Sequence, residues 1–388
     1  MSFIWQYLKQ QQRKWLPGLT ALAGWRRSKA FAKVWPEKSI VYYTGTSSEA
    51  WNPHTLELGL GGAQTAVIYL AKEWDKLGYK VVVYGETRGR SILCDGVQYL
   101  DHARFNKHDY FDTLIIWEPK NLSILEHPIF AKRIWLDVHG VPKTKRAYKE
   151  AALKKVDKVF IKSKYHHFLF QDPELAHIPE SKLVVVSNGI DQSLFDLDQD
   201  HKQTYRLIYA SNYIRGLEQM LVYGWPIIKA AIPEAQLDIY YGWEFFDASY
   251  KNNPERQVWK QHMLQLINQP GVKDHGRVGQ VQLAIEKASA AIHYYATTYR
   301  EVDCISVRES AAVGSVPVTT DYAALAEKDY CVKISGEPTQ PETQERVAHR
   351  IVELLKDQKY LRELSQRSKE LVRHETWEAI AQRWLQEL

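Results

Sequence analysis

The sequence predicts an α/β protein of two doubly wound, Rossmann-like domains facing each other across a cleft, and three observations predict it. Short β-rich apolar runs alternate with helical patterns from Ser39 onward, which indicates a parallel sheet with helices on both faces. A polar stretch at 196–204 (DLDQDHKQT) breaks the alternation, which restarts at Arg206 in a second unit of similar size. The chain has 388 residues, enough for two domains that each bury a core.

The elements follow in order. Residues 39–44 (SIVYYT) read as a buried strand. Gly61-Gly62 open a helix that turns Val67, Leu70, Ala71 and Trp74 inward, and Gly78 stops it. Further strands are expected at 80–84, 113–117, 133–138, 158–161 and 183–186. In the second unit, strands are expected at 206–210, 236–241, near Val272, 290–294 and 316–319. Helices are expected at 217–231, 256–267, 280–288 and 305–313. In this architecture the default ligand site is the cleft at the carboxyl ends of both sheets.

Composition narrows the function. At 45% hydrophobic and 25% charged the chain is an ordinary globular sequence, which excludes disordered and collagen-like classes. Cys94, Cys304 and Cys331 are too few and too scattered for a disulfide framework or a zinc site, so a reducing, cytoplasmic setting is the expectation. No run of about 18 apolar residues predicts a spanning helix. The 13 Trp and 23 Tyr suit packed cores, and also sugar-binding or membrane-interface surfaces.

The net charge of +5 is unevenly placed: residues 1–36 hold seven Lys or Arg and no acid, leaving the remaining chain at −2. A broad nucleic-acid-binding face is therefore not expected. The arm spaces Trp5, Trp15, Trp25 and Trp35 among its cations. It reads either as a basic helix lying on an anionic membrane, on the inner face, or as an arm packed on the domain or a partner subunit.

Chemistry concentrates in 299–309 (YREVDCISVRE). Glu301 and Glu309 would lie about 12 Å apart if all eight residues were helical, too far for a glycosidase acid pair, so they suit different parts of one extended ligand. Glu301 can reach a sugar, the amides of Val302, Asp303, Cys304 and Ile305 suit a phosphate, and Glu309 can accept from ribose hydroxyls. A surface helix with two solvated acids fits the same spacing. In Leu58-Gly59-Leu60-Gly61-Gly62-Ala63-Gln64 the glycines allow close backbone approach to a phosphate. The last position departs from a dinucleotide fingerprint and the loop lies far from its strand, which disfavours a dehydrogenase. A plain helix-start loop also fits.

His139 ends a predicted strand and points to the cleft, and Arg215, after the first strand of the second unit, can hold a diphosphate. A structural histidine and a helix-start surface arginine are the bland readings. No close His/Cys group appears, so neither metal nor cofactor is expected, and a leaving diphosphate would rely on Arg215 and helix amides.

Together these motifs resemble GT4-type retaining glycosyltransferases of the GT-B fold, from about Ser39 to the end. Gly61-Gly62-Ala63-Gln64 matches the donor-phosphate loop, Glu301 to Glu309 the EX7E signature, Ser187-Asn188-Gly189-Ile190-Asp191 the segment closing the first domain, and Asp274-His275-Gly276-Arg277-Val278 the segment near the base. Arg215-Gly216-Leu217-Glu218, Trp225-Pro226 and Tyr241-Gly242-Trp243 resemble a bacterial subgroup.

The resemblance implies a metal-independent transferase of polysaccharide biosynthesis, moving sugar from a nucleotide-diphosphate donor to a glycan or lipid-linked acceptor. It implies an acceptor domain at 37–200, a donor domain at 201–373, and a last helix at 374–388 crossing back onto the first. It assigns Glu301 and His139 to the donor sugar, Glu309 to the ribose, Arg215 to the diphosphate, Gly62 to the phosphates, and Arg277 with Val278 to the base. Two departures stand out: Asn212 and Tyr213 replace an arginine common in relatives, and Gly140 replaces an aspartate after the cleft histidine. A nucleotide-sugar 2-epimerase and an inactive sugar-nucleotide-binding subunit are the alternatives.

Overall fold

The computed structural model describes residues 29, 31–142, 144–197 and 202–388. Residues 1–28 and 30 of the basic arm, and 198–201 of the expected linker, lie outside the described residues.

The first sheet has eight strands: β1 (Ser39–Tyr43), β2 (Lys80–Gly85), β3 (Ile92–Cys94), β4 (Val97–Asp101), β5 (Tyr110–Trp117), β6 (Phe130–Asp137), β7 (Lys158–Ile161) and β8 (Leu183–Val185), in the order β3-β4-β2-β1-β5-β6-β7-β8. The second has six: β9 (Gln203–Ala210), β10 (Gln236–Tyr240), β11 (Val272–Asp274), β12 (Ala290–Tyr295), β13 (Val316–Thr320) and β14 (Val332–Ile334), in the order β11-β10-β9-β12-β13-β14. Every pairing is parallel except the β3–β4 hairpin. Strand order therefore reverses once in each sheet, between β1 and β5 and between β9 and β12, and the crevice outside those carboxyl ends is where doubly wound sheets bind ligands.

Five helices position the site: α1 (Gly62–Lys76), α2 (Lys164–Phe170), α3 (Gln280–Ser289), α4 (Ile305–Ala312) and α5 (Trp377–Leu385). α1 buries Val67, Leu70, Ala71 and Trp74, and α5 buries Trp377, Ile380, Ala381 and Trp384, the same i, i+3, i+4, i+7 stripe. The two stripes meet. Trp377 stacks on Tyr69 at 5.8 Å between ring centroids, Trp384 meets Trp74 edge-on at 5.6 Å, and Trp74 Nε1 donates to the Ala381 carbonyl at 3.2 Å. Trp384 also lies over Phe160 of β7. The last helix thus completes the core of the first sheet, which also takes in Ile305 at the start of α4. That contact seats the amino end of α4 against the first domain.

Four local features depart from the sequence expectation. The helix expected at 217–231 is broken by a π turn at Met220–Gly224, because Pro226 has no N–H for the helical ladder and Gly224 packs against the Tyr294 hydroxyl. The β3–β4 hairpin turns at Asp95-Gly96, both at positive φ (49° and 76°) as a type I′ turn requires. A helix at Glu244–Tyr250 and strand β14 were also not expected.

Candidate active site

The carboxyl ends of β9 and β12 build one wall. β9 ends at Ala210, whose carbonyl accepts from Ser306 Oγ at 2.7 Å, tying the first turn of α4 to the switch point. Arg215 follows β9, and its carbonyl accepts from Thr297 Oγ1 at 2.7 Å. Gly216 sits at φ +97°, and a Cβ there would lie 2.6 Å from the Thr298 nitrogen, so glycine is what lets the two loops touch. Arg215 Nη1 donates to Glu301 Oε1 at 2.8 Å, and the guanidinium lies over the Tyr299 ring at 4.4 Å. The Tyr295 hydroxyl donates to the same Glu301 oxygen at 2.6 Å. The Glu301 side chain, 5% exposed, is thus held from two sides through Oε1.

Between the two glutamates, Cys304 caps α4 with no side-chain hydrogen bond, so the first-turn amides have no acceptor from the cap. Burial pushes the Cys304 thiol up to about 12, so it stays protonated. Gly62 opens α1 opposite this turn. A Cβ on Gly62 would meet only Ile305 Cδ1, at 3.5 Å, so the protein itself does not demand glycine there. Gly59 differs: at φ +93° its Cβ would fall 2.5 Å from the Val278 carbonyl, so it serves close packing of the glycine loop on the second domain.

Glu309 Oε2 accepts from Lys287 Nζ of α3 at 2.6 Å. The Asp303 side chain faces away from such a role. It takes both Arg308 terminal nitrogens at 2.9 and 2.6 Å, Lys328 Nζ at 2.7 Å and the Asn188 N–H at 2.7 Å. Burial works to raise its carboxyl, but Arg308 and Lys328 hold it well below the usual range. What Asp303 leaves for a ligand is its backbone.

β6 builds the opposite wall. Asp137 and His139 lie two residues apart along an extended chain, so their side chains share a face. His139 Nε2 bonds Asp137 Oδ2 at 2.8 Å, and the His139 N–H donates to Glu118 Oε1 at 2.8 Å. Asp137 also takes Lys162 Nζ at 2.5 Å and the Tyr42 hydroxyl. Burial, with Lys162 nearby, lowers the His139 pKa despite Asp137. The ring is therefore neutral at pH 7, with Nε2–H on Asp137 and a lone pair on Nδ1. Burial raises Glu118 to about 7.

These walls enclose a cleft of about 330 Å³ lined by Gly61, Gly62, His139, Arg215, Arg277, Val278, Val302, Asp303, Cys304, Ile305, Glu301 and Glu309, so the structure brings all twelve residues singled out in the sequence together. The rim is crossed by Arg277 Nη1 to Glu49 Oε2 at 2.9 Å and by the Lys164 N–H to Glu327 at 3.0 Å. Arg277, expected at the base, is thus paired across the cleft. Asn188 also lines the cleft, and its buried Oδ1 has no protein partner. Sequence reasoning missed Lys287, Tyr295 and Glu49, whose partners lie on other elements and whose local sequence carries no motif. Among the described residues no group of three or more His, Cys, Asp or Glu is placed to hold a metal ion.

The buried imidazoles set an acid limit on stability. His139, His166 (about 3) and His293 all have folded pKa values below the ordinary 6.5, each mainly through burial. Below pH 6.5 the unfolded chain takes protons that the fold refuses, so stability falls as pH falls, by about 1.4 kcal/mol per unit for each histidine still neutral in the fold. Glu118 acts oppositely between about 7 and its ordinary value, and offsets about one of the three. Urea midpoints are expected to be flat from pH 8 to 7 and to fall steeply from 6.5 to 5; a flat profile through pH 5 contradicts the burial of these rings.

Neither a protein-family model nor a curated sequence relative matches the chain. Solved structures do. Sucrose-phosphate synthase of Thermosynechococcus elongatus superposes with a TM-score of 0.67 at 14% identity, covering 89% of this chain and 98% of its own. HepE of Anabaena, in complex with UDP and glucose, gives 0.64 at 14% identity over 90% and 98%. The catalytic domain of starch synthase IV of Arabidopsis thaliana, bound to ADP and acarbose, gives 0.64 at 10% identity over 90% and 98%. At these identities what is shared is architecture, and the chain has the GT-B fold, two Rossmann-like domains closed on a common cleft.

Proposed function

We propose that the protein is a retaining glycosyltransferase of the GT4 type that moves a sugar from a nucleotide-diphosphate donor to a glycan or lipid-linked acceptor without a metal. The observation that carries this reading is the α4 unit: Glu301 before the helix, open amides at its start and Glu309 one turn inside it, all lining one cleft opposite Gly62. The neighbours named for UDP, glucose and ADP support the donor class.

In this reading the first-turn amides of α4 and the Gly62 amide take the diphosphate, with Arg215 stabilising its charge as the glycosidic bond to phosphate breaks. Glu301 holds the sugar, oriented by Arg215 and Tyr295. Neutral His139 accepts from a sugar hydroxyl at Nδ1, with Asp137 fixing the ring. Retention follows front-face attack, in which the acceptor oxygen bonds the anomeric carbon on the side the phosphate leaves, and its proton passes to the leaving phosphate oxygen. The closed rim keeps water from competing.

Incubation with UDP-, GDP-, dTDP- and ADP-sugars in the presence of EDTA, with bacterial glycan or lipid-linked sugar extracts as acceptor, is expected to release nucleoside diphosphate with at least one donor and to transfer the labelled sugar. Free epimerised sugar formed without acceptor would select the epimerase reading, and no turnover of any donor the non-catalytic one.

Gly62 provides a sharper check. Gly62→Ala is expected to keep or raise stability, by up to about 1 kcal/mol, because alanine favours the helix and has room. The added methyl stands where the phosphates approach, so nucleotide release should drop tenfold or more. Equal activity with raised stability would remove Gly62 from the donor site.

A further inference from the structure

Lys287 lines the cleft and belongs to none of the motifs. Lys287 lies on the buried face of α3, in a row with Ala284 and Ala288, and its side chain is 1% exposed. Its ammonium meets the Glu309 carboxylate at 2.6 Å across the α3–α4 contact. Glu309 is 17% exposed and lines the cleft, so the acid is the member of the pair that a ligand touches and the lysine stands behind it. Helix packing alone does not call for this arrangement, because a buried ion pair contributes no more than well-packed apolar side chains of the same volume. The lysine holds the carboxylate through one oxygen, Oε2.

We infer that Lys287 is a positioning residue for the nucleotide: it fixes Glu309 by Oε2 so that the carboxylate meets a vicinal ribose diol in one orientation, and it balances that carboxylate's charge beside the diphosphate. The inference rests on the donor class proposed above. Glu309 stands four residues, or about 6 Å along the axis, from Ile305, whose amide belongs to the turn offered to the phosphates. At that separation an unbalanced carboxylate repels a diphosphate, and a freely rotating one pays rotamer entropy to bind the diol. Lys287 removes both penalties without touching the ligand.

The test is calorimetric binding of UDP and ADP, and of their 2′,3′-dideoxy counterparts, to the full chain as wild type, Lys287→Met, Lys287→Gln and Lys287→Arg. The wild type is expected to bind the ribonucleotide of its preferred base at least tenfold more tightly than the dideoxy form. Lys287→Met and Lys287→Gln should weaken the ribonucleotide tenfold or more and bring the two forms to within about twofold of each other, and Lys287→Arg should restore most of the discrimination. A purely structural lysine would lower the melting temperature and leave the ribo-to-dideoxy ratio of the folded protein unchanged, which overturns the proposal, as does Lys287→Arg behaving like Lys287→Met. If Lys287→Met does not fold, the polar, uncharged Lys287→Gln decides. Failure of the wild type to bind either ribonucleotide removes this inference and leaves the nucleotide-sugar reading to the four-donor screen above, whereas a wild type that binds while the ratio survives substitution also removes the inference alone.

Discussion

Glu301→Ala is expected to lower sugar transfer about 10²–10³-fold while the protein stays folded. Glu301 is held through Oε1 by Arg215 and the Tyr295 hydroxyl, so its carboxylate is fixed before any sugar arrives. Groups fixed in advance where charge develops contribute on that order. The fold should survive because the Arg215 side chain is about one-third exposed and water can replace its partner. Glu301→Gln separates charge from shape: it keeps the volume, loses the anion that pairs with Arg215, and should lose nearly as much rate. Initial rates of nucleoside diphosphate release, read with a thermal melt of each variant, give the answer. A rate within threefold of wild type in a folded Glu301→Ala protein would take the residue out of the reaction.

Arg308→Met is expected to destabilise the protein by about 3–5 kcal/mol, the effect of leaving a buried carboxylate without its main partner. Arg308 is fully buried; it binds Asp303 with two nitrogens and also pairs with Glu375, just before α5. Asp303 in turn holds the Asn188 N–H at the junction after β8. One guanidinium therefore ties together the loop carrying Glu301, the end of the first sheet and the start of the returning helix. Denaturant unfolding should show a lowered midpoint in Arg308→Met, partly recovered when Asp303→Asn is added, because the second change removes the stranded charge. A midpoint shift worth under about 0.5 kcal/mol in the single variant would show that the knot carries no such energy.

The fold was legible because its signals are local. Val67, Leu70, Ala71 and Trp74 declare the buried stripe of α1, and the apolar runs at 158–161 and 206–210 lie within strands the structure contains. Where tertiary contacts decide, the sequence was less clear. The π turn before Trp225 depends on Tyr294 filling the space over Gly224, and a contact 70 residues away leaves no trace in a helical pattern. The hairpin at Asp95-Gly96 did carry a signal, two turn residues suited to positive φ between alternating apolar positions.

The site divides along the same line. Glu301 and Glu309 stand out by spacing, but what each one does is set by Arg215 and Tyr295 for the first and Lys287 for the second, and those pairings come from different helices and strands. Asp303 lies in the same run of residues, yet its carboxylate is taken up by Arg308 and Lys328, a distinction the string of letters does not make. His139 was marked by its place at a strand end. Asp137, two residues earlier on the same face, is the partner that alternation could have supplied, while Lys162 comes from the neighbouring strand's end.

The central claim is that a sugar nucleotide lies in the cleft with its diphosphate between Gly62 and the first turn of α4. Thermal-shift measurement of the wild type and Gly62→Val with UDP-, GDP-, dTDP- and ADP-sugars in EDTA tests it most directly, since a bound ligand stabilises by mass action. The account predicts that at least one donor raises the wild-type melting temperature by several degrees at saturating concentration and that the folded Gly62→Val variant loses most of that rise. A wild type indifferent to all four donors, or an equal rise in both proteins, contradicts it.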